Sequence, residues 1–388
     1  MLKINQHQSY LKLFLFFGFV LAASNALTAY INSSYLGDFF GPAQVGVIFM
    51  ISYVFTLLAV NYFPTVINHL KIFLASLAVL ALMFLGLLGM GLANWPLAAF
   101  AFFVIYTVCL NLIWISLDIY VEYFSSTAHT GRIRGLYWTI VNVAWFLAPM
   151  AAGLLLKNFD YPVLFYISSA LMLVVMIGFY FKFHKLDVDH FPKTHFWYAI
   201  KSVWKNNLLN GIFVIAFVLQ IFYCIMIIYT PMYLHDVIGF DWSQIGLMFT
   251  AMLSTFVFMT YPAGWLADKF FGEKEMLSIG LLITGVFTIV FGLITGQNFW
   301  LWLIVLFMTR VGASLVDIMR DTYFFKRVNV KDIQVINLFR NTTSLAYIIG
   351  PLAATAILAI WSYRELYVLT GLLVIASVFF ALRLKDTK

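Results

Sequence analysis

Charge is scarce in this chain. Asp, Glu, Lys and Arg make up 10% of 388 residues and hydrophobic residues 63%, whereas soluble domains carry about 25% charged residues. That balance excludes a water-soluble globular enzyme. Cysteine is nearly absent: Cys109 and Cys224 both lie in apolar stretches without metal-ligand spacing, so both read as packing residues. No Gly-x-x-x-x-Gly-Lys loop is present to cradle a nucleotide. No His falls inside the long apolar stretches, which removes a transition-metal site buried among them. No cofactor is expected. Polar intervals are short as well, the longest running from about residue 183 to 206, too short for a soluble domain.

What the chain does have is apolar runs long enough to cross a hydrocarbon core of roughly 30 Å. They fall at 11–33, 43–64, 71–93, 97–122, 133–156, 162–182, 207–233, 243–266, 275–295, 298–322, 334–360 and 363–384, here numbered spans 1 to 12. An unpaired backbone group in lipid costs several kcal/mol, so such runs predict an all-α polytopic membrane protein. The first 33 residues show no cleavage pattern and read as span 1, not as a signal peptide. With the N-terminus inside, Lys and Arg concentrate in cytoplasmic segments, among them Lys71, Arg132, Arg134, Lys182, Lys269, Lys274 and Lys326. Lys157 and Arg364 fall outside, and Arg310 and Arg340 within spans. This bias places both termini on the cytoplasmic side of the inner (plasma) membrane. The net charge of +7 then reflects membrane orientation, with no nucleic-acid partner implied.

The chain also repeats itself. Leu117-Asp118-Ile119-Tyr120-Val121-Glu122 recurs as Val316-Asp317-Ile318-Met319-Arg320-Asp321, offset by 199 residues (316 less 117). At that offset Asn111 matches Arg310, and Glu122 matches Asp321. Each copy is followed by a proline among small residues, Ala148-Pro149-Met150-Ala151-Ala152 and Gly350-Pro351-Leu352-Ala353-Ala354, which lets helices approach and bend. Duplicated halves with charge at matching depth are a mark of secondary transporters. The expected division is a six-helix bundle at 1–183, a cytoplasmic linker at 184–206 and a second bundle at 207–388. Within the linker Phe196, Trp197, Ile200, Val203 and Trp204 form one helical face beside lysines, suited to the headgroup boundary.

Two motifs carry a family resemblance. Gly264-Trp265-Leu266-Ala267-Asp268-Lys269-Phe270-Phe271-Gly272-Glu273-Lys274 resembles the major facilitator superfamily signature Gly-x-Leu-Ala-Asp-Arg-x-Gly-Arg-Lys, with one inserted residue and Glu273 in a basic place. Arg310-Val311-Gly312-Ala313-Ser314 resembles that family's Arg-x-x-Gly type of motif. The chain departs from the pattern at 61–71, where the loop after span 2 has no acid, and at Ala148-Pro149, where the antiporter motif has Gly-Pro. The resemblance implies two pseudo-symmetric six-helix bundles, alternating access, and a cavity lined by spans 1, 4, 7 and 10. It also implies that Asp268 pairs with the start of span 5 near Arg132 and Arg134, latching the halves.

Reading those four spans to their midpoints gives Asn25, Asn111, Gln220 and Arg310, with Trp114 and Tyr223 one turn from the second and third. Polar groups beside aromatic walls make a candidate substrate site. For the two Asn and the Gln, interhelical hydrogen bonding is the competing reading. For Arg310 it is a structural bond to carbonyls or a tyrosine, weighed against substrate or coupling. Asp118 with Glu122, and Asp317 with Asp321, share helix faces one turn apart. They repel unless a cation or proton intervenes, so a network with Arg132, Arg134, Arg320 and Lys326, a proton-coupling site, and a sodium or metal site remain open. The expected protein is a monomeric secondary transporter of a small or amphipathic solute, drug-like compound or lipid. Its coupling ion is the proton and the favoured direction is export. Coupled uptake of a small polar nutrient and a non-transporting receptor or scaffold are the alternatives.

Overall fold

The computed structural model describes residues 2–124, 130–184, 207–269, 271–328 and 333–385. The expected linker face and the side chains of Glu122, Arg132, Arg134 and Asp268 lie outside the described residues. The described helices are α1 (Leu2–Ala29), α2 (Asn32–Phe40), α3 (Pro42–Leu92), α4 (Pro96–Phe124), α5 (Thr130–Leu155), α6 (Tyr161–Phe183), α7 (Asn207–Met232), α8 (Trp242–Phe258), α9 (Thr260–Lys269), α10 (Glu273–Leu293), α11 (Phe299–Arg327), α12 (Ile333–Leu358) and α13 (Tyr363–Leu382). Ten of them are long and apolar enough to cross a membrane, and the protein is a multi-pass membrane protein.

Twelve spans emerge from these helices by two adjustments. Spans 2 and 3 are two helices that run together as α3 and meet at Lys71, whose φ of 65° and ψ of 153° are not helical. The loop expected at 61–71 is thus helical to residue 70, because its polar side chains turn back on their own helix. Asn61 Nδ2 donates to the Leu57 carbonyl at 2.7 Å, and His69 Nδ1 bonds the Thr65 carbonyl at 2.8 Å. Span 8 is divided into α8 and α9 at Met259. Pro262 sits in the first turn of α9, where a missing N–H costs nothing.

Helix ends follow local chemistry. Pro42 and Pro96 open α3 and α4, and Gly41 at φ +81° makes the turn from α2 that a side chain would resist. Capping boxes start α8 (Asp241 with Gln244) and α13 (Ser362 with Glu365), satisfying N–H groups that lipid cannot. After Pro231, α7 widens into one π turn, Tyr233–Val237.

The chain divides into two compact units, residues 1–40 with 51–193 and residues 41–50 with 194–388. In the first, α1 packs on α5 and α6. Ser24 Oγ and Ser168 Oγ each donate to the other's carbonyl at 3.0 Å, and Phe14 stacks on Tyr137. In the second, α10 lies against α11 and α13 at glycine contacts. A Cβ on Gly312 would stand 2.5 Å from Thr284 N and 2.6 Å from the Gly280 carbonyl, and one on Gly371 2.6 Å from the Gly285 carbonyl. Toward the other end, Tyr233 gathers Phe291, Trp302, Tyr363 and Tyr367 into one aromatic core.

Candidate functional site

In the first unit the expected polar residues are drawn into protein contacts. Asn25 is buried, and its Oδ1 accepts from Tyr106 OH at 2.8 Å. Thr28 Oγ1 joins the same hydroxyl at 3.1 Å and donates to the Asn25 carbonyl at 3.2 Å. This buried triad ties α1 to α4. Tyr106 was not among the residues expected from sequence; Asn111, five positions on in the same span, was. Asn111 is half-buried and donates back to the Thr107 carbonyl at 2.9 Å. Trp114, also half-buried, stacks on Trp138 of α5 at 6.3 Å between ring centroids. Asp118 is half-buried on the same helix.

In the second unit Gln220 and Tyr223 are half-buried on α7. Tyr223 OH donates to the Ala313 carbonyl at 3.4 Å, bringing α7 against α11 just beyond Arg310. Arg310 itself is 1% exposed. Its guanidinium carbon lies 5.2 Å from the Phe222 ring centroid and 5.1 Å from that of Tyr223. Among the described residues neither Nε nor Nη2 has a hydrogen-bond partner. Cation–π contact contributes about 0.5–2 kcal/mol, whereas a mid-span arginine costs about 2.5–3.5 kcal/mol by insertion scales. Each unmet buried donor adds about 1–3 kcal/mol. The rings offset the burial in part and leave two donor nitrogens unanswered among the described residues.

Ten residues along the same helix, Arg320 has the opposite surroundings. Its Nη2 lies 2.9 Å from an oxygen of Asp317 and 2.9 Å from one of Asp321, and Nε donates to Asp321 at 3.0 Å. The Phe339 ring sits 5.4 Å from its guanidinium carbon. The paired acids of the second copy are therefore held apart from one another by a cation from their own helix. Lys326, grouped with those acids in the network considered from sequence, reaches elsewhere. It pairs with the buried carboxylate of Glu273 and so links the end of α11 to the start of α10. Glu273 is the residue that stands where the signature resembled by this loop has a basic one. Among the described residues no group of His, Cys, Asp and Glu is placed to hold a metal ion.

The sequence profile of the Major Facilitator Superfamily matches residues 13–257 and 225–388. No curated protein sequence matches the chain. Solved structures do. A bacterial homolog of the human lysosomal transporter Spinster, inward-facing and unoccupied, has TM-score 0.74 at 14% identity, covering 97% of this chain and 96% of that one. An auto-inhibited POT family peptide transporter has TM-score 0.77 at 12% identity, with 97% and 98% covered. A POT family transporter in complex with a thioalcohol-conjugated peptide has TM-score 0.77 at 10% identity, with 96% and 95% covered.

Proposed function

The chain belongs to the major facilitator superfamily, and from that premise we propose that it is a secondary active transporter of a small or amphipathic solute. The observation that carries this reading is Arg310, buried in a membrane span with two donors unmet by protein. A fold under no functional demand gains stability by replacing such a residue, so its presence points to a ligand. The likeness to the Spinster homolog and the peptide transporters, at 10–14% identity, supports the fold and leaves the cargo to be argued from this chain.

Transport proceeds by alternating access of the two bundles, with Gln220, Tyr223 and Arg310 contributing to the site from the second. In the first unit Asn25, Asn111 and Trp114 are the candidates, Asn25 chiefly by holding Tyr106. A proton is the coupling ion, carried by Asp118 or Asp317, with Arg320 pairing the charge of Asp317 and Asp321. Asp268, Arg132 and Arg134 are the candidates for a cytoplasmic latch. The aromatic, charge-poor set favours export of an amphipathic compound or lipid. The protein resides in the inner membrane as a monomer, with both termini cytoplasmic.

The test is a thermal-shift screen of purified protein beside Arg310→Ala, using sugars, amino acids, organic anions, lysolipids and cationic amphiphiles. A ligand at 100 times its dissociation constant stabilises by about 2.7 kcal/mol. The expected result is one chemical class that stabilises wild type and not the variant. Equal stabilisation of both proteins by every active compound removes Arg310 from the site.

A further inference from the structure

We propose that the transported solute carries a carboxylate on an alkyl or aryl body, and that Arg310 grips it side-on through Nε and Nη2. This rests on the reading of Arg310 as a substrate residue and narrows it to one chemistry.

The free donors of Arg310 lie on one edge of its guanidinium. In a guanidinium, the N–H of Nε and one N–H of Nη2 project in parallel from the same edge, and their spacing matches the two oxygens of a carboxylate. Those are the two atoms of Arg310 without a partner. A structural tie through Nη1 would leave this edge as it is, and one through either of the two atoms would close it. Here the whole edge is open, while the residue is 1% exposed.

The carboxylates on its own helix do not fill that edge. Asp317 and Asp321 are both bound to Arg320, which leaves the charge of Arg310 uncompensated by them. From α7 the neighbours are the rings of Phe222 and Tyr223, which attract a cation and accept no in-plane hydrogen bond from the free edge. Apolar surface beside an anion grip suits a ligand whose charged head joins directly to an apolar body.

The helix that carries Arg310 is also fixed in place. Two residues on, Gly312 lies with no side chain against the Thr284 amide and the Gly280 carbonyl. One residue further, the Ala313 carbonyl accepts from Tyr223. A grip of two parallel hydrogen bonds demands such fixity, since a small rotation breaks one of the pair. Lysine in the same place would keep the charge and lose the fork.

The experiment measures binding of matched probes to the purified full-length protein by thermal shift and calorimetry. The probes are 4-phenylbutanoate, 4-phenylbutanamide, phenylphosphonate and phenyltrimethylammonium. The proteins are wild type, Arg310→Lys and Arg310→Gln. Wild type is expected to bind the carboxylate at least tenfold tighter than the amide. Arg310→Lys is expected to lose at least tenfold in carboxylate affinity, and Arg310→Gln to lose the preference over the amide altogether. Equal wild-type affinity for carboxylate and amide, with both lost in Arg310→Gln, overturns the carboxylate and leaves Arg310 in the site. Binding of phenylphosphonate alone, or of the cation alone, overturns it likewise. Undiminished carboxylate affinity in Arg310→Lys overturns the fork and leaves a point charge. Carboxylate binding unchanged in both variants overturns the substrate role of Arg310 as well. The comparison of probes on wild type needs no variant, so a variant that fails to fold does not spare the proposal.

Discussion

Substituting alanine at Gly312 tests the seam that holds the second unit together. An added Cβ there would lie 2.5 Å from both Thr284 N and Thr284 Oγ1 and 2.6 Å from the Gly280 carbonyl. Carbon contacts are favourable near 3.5–4.0 Å, so α10 and α11 must separate by about 1 Å to admit one methyl group. Two of the three obstructing atoms are backbone and cannot rotate away. Overpacking of this kind costs about 1–3 kcal/mol, against which alanine's helical preference returns about 0.5–1 kcal/mol. Gly135, exposed in α5, is the control, because a Cβ there meets no described atom within 4 Å. Gly135→Ala is expected to be neutral or stabilising and Gly312→Ala destabilising by about 1–2 kcal/mol, a difference of several degrees in melting temperature for a unit of this size. Gly280→Ala, which would meet Gly312's carbonyl at 2.9 Å, opens the same seam, so the double variant should cost less than the sum. The assay is thermal unfolding in detergent followed by tryptophan fluorescence. A Gly312→Ala protein that melts with or above wild type would refute the packing argument.

Three further perturbations have directions set by the contacts. Tyr106→Phe removes the donor to Asn25 and is expected to cost about 0.5–2 kcal/mol, in the range of intramembrane hydrogen bonds. A double-mutant cycle with Asn25→Ala should show coupling, and strict additivity would deny the bond. Lys326→Ala takes a cation away from the buried Glu273 carboxylate, whereas Glu273→Gln removes the charge itself. The lysine variant should therefore be the less stable of the two in chemical denaturation, and the reverse order would show that the pair does not govern this junction. Lys71→Gly relieves a backbone at φ 65° and ψ 153°, a region disfavoured for side-chain-bearing residues by about 1–3 kcal/mol. It should raise the melting temperature, with Lys71→Val lowering it.

The spans were legible because a stretch of some twenty apolar residues has few fates other than a membrane helix. The breaks were less so. Pro262 marks the start of α9, yet Lys71 shows no such sign. Its joint depends on two helices meeting without a connecting loop, and local residue types do not record that. Partners across the fold were hidden for a similar reason. Asn25 stood out as a polar residue in an apolar span, but its partner Tyr106 lies 81 positions away on another helix, and no spacing rule links them. Lys326 was grouped with the acids of its own helix by proximity in sequence, and found its partner 53 positions back at the start of α10. Periodicity gives the face of a helix; the neighbour on that face comes from tertiary packing.

The two arginines of α11 show how far sequence and packing must be combined. Both stand in apolar surroundings, 1% and 7% exposed, and both lie within about 6 Å of aromatic rings. In sequence they differ in one respect: Arg320 has acids at −3 and +1, while the nearest acid to Arg310 is Asp317, about 10 Å along the helix. That spacing is enough to let Arg320 pair its charge locally whatever the rest of the fold does, through Nε and Nη2, while its Nη1 finds no partner among the described residues. Arg310 has no such recourse and depends on tertiary or external partners, and the fold surrounds it with rings and leaves its Nε and Nη2 unmet. A charge-paired ion triad can serve as a fixed charge or a proton relay without any ligand being present. An arginine with an open edge is at its most stable only when something outside the chain fills it. The repeated acid motif is therefore the more visible feature of this sequence, but the unaccompanied arginine makes the stronger claim on a substrate.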